Sequence, residues 1–202
     1  MTSLACIIGW PVEQSLSPAI HNAAFAARDL DWTYVALAVR DGAVDEGVTL
    51  LRTLDAAGVN VTVPHKQAIV PHCARLEGDA EAFGAVNTLV RDGADFIGHN
   101  TDGAGFVRFL RADASFEPVG ARALVVGAGG AARAVAVALA REGADVVVCA
   151  RQSAAAEAIA GLFPGVTAGD WGDFPAADLV VQATSVRSGL PVERMPLAPG
   201  VV

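Results

Sequence analysis

The sequence predicts an α/β protein built as two successive strand–helix units, and three observations predict it. Short apolar runs rich in Val, Ile and Leu alternate with helix-period segments from residue 4 onward. Residues 112–120, which include Asp113, Ser115, Pro118 and Gly120, interrupt that alternation without apolar periodicity of their own. Beyond the interruption, a glycine-rich turn stands between an apolar run and a long helical segment. The expected domains are therefore 1–111 and 119–202.

Taken in order, residues 4–8 read as a strand, 18–28 as a helix and 32–39 as a β-rich run. Within 44–57, Val44, Val48, Leu51 and Leu54 share one helical face, and Gly58 is expected to stop that helix before a strand at 59–63. Residues 86–91 and 96–98 read as antiparallel strands joined through Asp92-Gly93, a hairpin dipeptide. A helix over 102–111 leads out of the first unit. The second unit is expected to hold strands at 121–126, 144–149 and 178–183, with helices at 129–142 and 154–162.

Composition removes several function classes. With 53% hydrophobic and 18% charged residues over 202 positions, the chain has ample material for a core. A net charge of -8, with only 14 Lys and Arg, supplies no basic surface for phosphate backbones, so no nucleic-acid partner is expected. Cys6, Cys73 and Cys149 are odd in number and far apart, which suits a reducing cytoplasm better than a disulfide framework or a zinc site. His21, His65, His72 and His99 show no ligand spacing, and no metal is expected. The apolar runs are too short to span a bilayer, and residues 1–10 lack the basic start of a signal peptide, so no membrane partner is expected.

The clearest motif is Val126-Gly127-Ala128-Gly129-Gly130-Ala131-Ala132 between a strand and a helix, the setting of a Rossmann-type dinucleotide fingerprint. Gly127 would permit the tight turn, Gly129 the close approach of a pyrophosphate, and Ala132 the packing of helix on strand. The helix N-terminus would then face the phosphates, with Ala128, Gly130 and Ala131 beside the other glycines as candidate cofactor-binding residues. The same residues would also make a plain glycine-rich turn. The next strand ends without the acid that binds an NAD ribose, and Arg151 stands there instead. A guanidinium suits a 2′-phosphate and leans the reading towards NADP, the alternative being a solvated surface arginine.

Polar residues in the first unit are ambiguous one at a time. Ser17 is a natural N-cap ahead of Pro18, yet a cap does not require Ser15, and two hydroxyls at a helix start also suit a small carboxylate. Asn60 and Thr62 fall on one side of a short strand, with Lys66 just beyond Pro64. Asn87 and Asp102 form a further polar pair of segments, in which Asp102 would serve equally as an N-cap.

Taken together and in order, these segments resemble the shikimate dehydrogenase family. The blocks are Gly9-Trp10-Pro11 with Ser15-Leu16-Ser17-Pro18 and His21-Asn22, then Asn60-Val61-Thr62-Val63-Pro64-His65-Lys66 and Gly84-Ala85-Val86-Asn87-Thr88. Gly98-His99-Asn100-Thr101-Asp102-Gly103 and Gly127-Ala128-Gly129-Gly130-Ala131-Ala132-Arg133-Ala134 complete the series. The resemblance implies an N-terminal α/β substrate-binding domain followed by a Rossmann-type NAD(P)-binding domain, and reversible NADPH-dependent reduction of 3-dehydroshikimate to shikimate. By the same resemblance, Lys66 and Asp102 are catalytic. Ser15, Ser17 and Thr62 bind the substrate carboxylate, Asn87 and Asp102 contact ring hydroxyls, and Asn60 shapes the pocket. Thr184 joins Gly127, Ala128, Gly129, Gly130, Ala131 and Arg151 on the cofactor side, and a second copy of the chain is a candidate homodimer partner.

Some features depart from the family pattern. Gln14 stands where His is common, and Ala150-Arg151-Gln152 replaces Asn-Arg-Thr, leaving Arg151 alone for the 2′-phosphate. Gln182-Ala183-Thr184-Ser185-Val186-Arg187-Ser188-Gly189 stands where the family shows Asn-Ala-Thr-Ser followed by Gly-Met. Residues 196–202 enter a strand that family members follow with a glycine-rich segment, a substrate-binding Gln and a returning helix, so the C-terminal end is expected to be truncated. The alternatives are quinate or aminoshikimate oxidation, or a nucleotide-binding remnant with little catalysis. Glutamyl-tRNA reductases share the nucleotide domain, but Ser15, Ser17 and Lys66 argue against that reading.

Overall fold

The computed structural model describes residues 2–184. The expectations placed on 185–189 and 196–202 lie outside the described residues. The chain divides into two compact units, Met1–Asn100 and Thr101–Val202.

In the first unit the elements run β1 (Ser3–Gly9), α1 (Ser17–Ala26), β2 (Trp32–Ala38), α2 (Val44–Thr53) and β3 (Gly58–Val61). They continue as β4 (Arg75–Leu76), α3 (Ala80–Phe83), β5 (Thr88–Asp92) and β6 (Asp95–His99), with a 3-10 turn at Val70–His72. Six strands form one sheet in the order β2-β1-β3-β5-β6-β4. β1 pairs in parallel with β2 and β3, whereas β5 runs antiparallel to both β3 and β6. One face buries Cys6, Ile8, Val48, Leu51, Val59, Leu89 and Phe96. Removing such side chains from water supplies roughly 1.5–3 kcal/mol each, which holds α2 on the sheet.

Local chemistry moves several boundaries. α2 stops at Thr53 and not at Gly58, because Asp55 takes the left-handed conformation at φ +55°. Ala56 N–H reaches the Leu51 carbonyl at 3.1 Å and Asp55 N–H reaches Arg52 at 3.2 Å, the Schellman pattern with Asp where Gly is usual. Leu51 and Ala56, both fully buried, make its apolar contact, and Gly58 opens β3 instead. The hairpin also shifts: Asp92 pairs with Asp95, so its loop is Gly93-Ala94, with Gly93 at φ +62°. β3 ends at Val61, which leaves Thr62 just past the strand.

The second unit begins with α4 (Asp102–Ala112) and continues through β7 (Arg122–Val126), α5 (Gly130–Arg141), β8 (Asp145–Cys149), α6 (Ser153–Ala160), β9 (Val166–Gly169) and β10 (Leu179–Gln182). Its four parallel strands lie in the order β10-β7-β8-β9. Leu110 of α4 joins the core of Val125, Ala132, Ala136, Leu139, Val148 and Ile159, so compactness divides the chain ahead of the 112–120 interruption. The strand order steps outward from β7 to β9 and then returns to the other side of β7. The topological switch point therefore lies between β7 and β10, where open α/β sheets bind ligands at the carboxyl ends of their strands.

Candidate active site

In the first unit, a run of hydrogen bonds joins residues that are far apart in sequence. Tyr34, the single tyrosine, lies on β2, and its hydroxyl donates to Asn60 Oδ1 at 2.6 Å. Asn60 Nδ2 reaches Thr88 Oγ1 at 3.5 Å, and the Thr88 hydroxyl donates to Asn87 Oδ1 at 2.9 Å. At the other end the Ser17 side chain lies beside the phenol and acts to lower its pKa. Tyr34, Asn60, Thr88 and Asn87 thus form one polar chain across β2, β3 and the start of β5, with Ser17 of α1 beside its Tyr34 end.

The fold fixes each member. Asn60 sits opposite Thr88 in the β3–β5 ladder, and Val61 N–H donates to the Asn87 carbonyl at 2.7 Å. Asn22 clamps Tyr34 through both backbone groups, at 2.9 and 2.8 Å, while His21 stacks on its ring at 4.3 Å and 6°. Tyr34 is only 3% exposed. Burial first, and then the neighbouring Cys6 thiol, push its phenol up to about 12, with the Ser17 side chain opposing them. The phenol therefore stays protonated and serves as a permanent donor to Asn60.

Ser17 is not the N-cap that its sequence position suggests. α1 starts at Ser17 itself, Pro18 follows within the first turn, and Leu16 is the cap residue with no side-chain bond. Ser15 takes over part of that work, accepting the Ser17 N–H at 3.3 Å through its hydroxyl. The reason is geometric: Leu16 is already helical in backbone conformation, so the helix start moves one residue upstream and Ser17 falls within the first turn.

Lys66 is half-buried. Its carbonyl accepts Val86 N–H at 2.7 Å. The adjacent His65 is fully buried, and its Nε2–H donates to the Val39 carbonyl at 2.7 Å, so this histidine anchors the turn. Thr62 N–H continues the β1–β3 pairing to the Ile8 carbonyl at 2.9 Å. The Thr62 side chain fills the space beside Gly9, where an added Cβ would run into its methyl group. Asp102 is the first residue of α4, with Thr101 as the cap residue, so it belongs to the first turn and not to the cap.

In the second unit, Gly127 follows β7 at φ +125°, and a Cβ there would lie 2.6 Å from the Ala183 carbonyl oxygen. Only glycine combines that backbone with that approach. Gly129 caps α5 without a side-chain bond, and the space beside it is open. The N–H groups of the first α5 turn are thus left for a ligand, while Ala132 is fully buried against the sheet. This donor set fits a dinucleotide pyrophosphate. Arg151 is exposed just past β8, and Thr184 closes the described residues beyond β10.

Sequence reasoning missed Tyr34 and gave Thr88 no role. The signal was present for Tyr34, an isolated phenol in an apolar run whose burial demands a partner. Among the described residues no group of three or more His, Cys, Asp or Glu could hold a metal, and no helix is long and apolar enough to cross a membrane.

Residues 7–89 match the model of the shikimate dehydrogenase substrate binding domain. The chain is 47% identical over 201 residues to shikimate dehydrogenase (NADP(+)) of Geobacter metallireducens, covering 93% of this chain and 70% of the relative. The shikimate dehydrogenase structure from Aquifex aeolicus superposes with a TM-score of 0.85 at 35% identity, covering 95% of this chain and 71% of that one. That from Thermus thermophilus, in complex with NADP(H) and shikimate, gives 0.80 at 36%, covering 90% and 68%.

Proposed function

This chain belongs to the shikimate dehydrogenase family, and from that premise we propose that it catalyses the reversible NADPH-dependent reduction of 3-dehydroshikimate to shikimate. The observation that carries the substrate side is the polar chain from Tyr34 through Asn60 and Thr88 to Asn87, which lies inside the region matched to a substrate-binding domain. Residues 1–111 form the substrate-binding part in this reading and 119–202 the nucleotide-binding part.

The roles follow from side-chain chemistry. Ser15, Ser17 and Thr62 present hydroxyls to the substrate carboxylate. Asn87 and Asp102 accept from or donate to ring hydroxyls according to their type, and Asn60, with its Oδ1 engaged by Tyr34, shapes the pocket. Bound NADPH supplies the hydride. Lys66 delivers a proton to the carbonyl oxygen as it becomes an alkoxide, and Asp102 completes the catalytic pair. Gly127, Ala128, Gly129, Gly130 and Ala131 hold the pyrophosphate, Arg151 the 2′-phosphate, and Thr184 the nicotinamide side.

Three free thiols suit a reducing cytoplasm, which is the proposed location. A homodimer is the proposed assembly: β2 is an edge strand of the first sheet, α1 beside it buries no residue, and light scattering measures the outcome. The function is tested by assaying purified chain with shikimate or quinate, each paired with NADP or NAD. Fastest turnover is expected with shikimate and NADP, and absence of turnover in all four pairs overturns the reading.

A further inference from the structure

The carboxyl end of β8 carries charge besides Arg151. β8 and β9 run parallel with Cys149 opposite Gly169, so Asp170 leaves the sheet beside Ala150, one residue from Arg151. Neighbouring strands lie about 5 Å apart, which sets the scale of that separation. Asp173 N–H bonds the Asp170 carbonyl at 3.4 Å, so the chain turns back there and keeps Asp173 near the same end of the sheet. Trp171 packs edge-on against Phe174 at 5.6 Å and 81°, and Phe174 joins Leu124, Val126 and Cys149, which anchors the loop.

A buried neighbour registers both charges. The Cys149 thiol is fully buried, and burial first, then the carboxylates of Asp170 and Asp173, push it above its ordinary value. Arg151, Asp170 and Asp173 are all exposed, so each faces whatever binds at this strand end.

We propose that Asp170 and Asp173 are determinants of cofactor selectivity, placing negative charge against the 2′-phosphate that Arg151 would receive and so narrowing the preference for NADP over NAD. The inference rests on the NADP reading of Arg151. Exposed like charges near one another repel modestly in water, and the repulsion is screened over a Debye length of about 8 Å at physiological ionic strength. The two carboxylates together therefore shift affinity severalfold, and salt erases the shift. Neither contacts the adenosine common to both cofactors in this account, so only 2′-phosphorylated ligands feel the change.

Calorimetric titration of the full chain with adenosine 2′,5′-bisphosphate and with 5′-AMP isolates the 2′-phosphate. For the double variant Asp170→Asn with Asp173→Asn, affinity for the bisphosphate is expected to rise roughly threefold to tenfold at low salt, with 5′-AMP affinity unchanged. The gain shrinks towards nothing at high salt, and each single variant shows part of it. An unchanged ratio between the two ligands, or an equal gain for both, overturns the inference. If the unmodified chain binds both ligands alike, and Arg151→Ala changes neither, the NADP reading itself fails and the inference falls with it.

Discussion

The Tyr34 hydroxyl donates a 2.6 Å hydrogen bond to Asn60 Oδ1. This one contact connects a residue of β2 to a segment expected to hold substrate. It also fixes which way the Asn60 amide faces, since an oxygen must meet the phenolic proton.

Tyr34→Phe removes that donor and keeps the ring stack with His21. A buried hydrogen bond contributes about 0.5–1.5 kcal/mol, so KM for shikimate is expected to rise roughly twofold to tenfold while KM for NADP stays constant. Steady-state kinetics with each substrate varied in turn reads the difference, and equal rises in both would detach Tyr34 from the substrate side.

Two glycines four residues or fewer from each other should behave differently. Gly127→Ala meets the Ala183 oxygen at 2.6 Å in a positive-φ conformation and is expected to lose about 2–4 kcal/mol of stability, read by urea denaturation. Gly129→Ala has ordinary φ and open space beside it, so stability should hold. Its added methyl stands where a pyrophosphate would approach, and NADP affinity should fall. Loss of stability without loss of affinity at Gly129 would remove it from the cofactor site.

Cys6, fully buried on β1, has its thiol pushed up to about 12 by burial. The folded chain keeps that proton, whereas the unfolded chain releases it above pH 9.0. The stabilisation is therefore fully present below that pH and is lost as pH rises towards 12, a contribution on the order of 4 kcal/mol. Denaturation across this range should show a falling midpoint, with a shallower fall in Cys6→Ala. An identical slope in the variant would contradict the assignment.

Much of this architecture was legible because the deciding signals are local. The glycine-rich turn between β7 and α5 follows from residues adjacent in sequence, and so does the alternation that gives the parallel strands. The misplaced ends come from competition. Asp55 takes a left-handed position that sequence reasoning reserves for glycine, and Gly58, read as the stop, is used to begin β3. In the candidate site, Ser15, Ser17, Asn60 and Asn87 were visible as polar residues in suggestive segments. Their connection was not, because it passes through Tyr34 on β2, and only the sheet order places that strand within reach. Short elements such as β4 and β9 left too little periodicity to read.

Whether Lys66 drives hydride chemistry on shikimate is decided by the rate of NADP reduction by shikimate, measured for the unmodified chain and for Lys66→Ala side by side. Turnover is expected in the former and a kcat lower by about 10²–10⁴-fold in the latter, with KM for shikimate little changed. Equal kcat in the two proteins, or no NADPH formed by the unmodified chain, would contradict it.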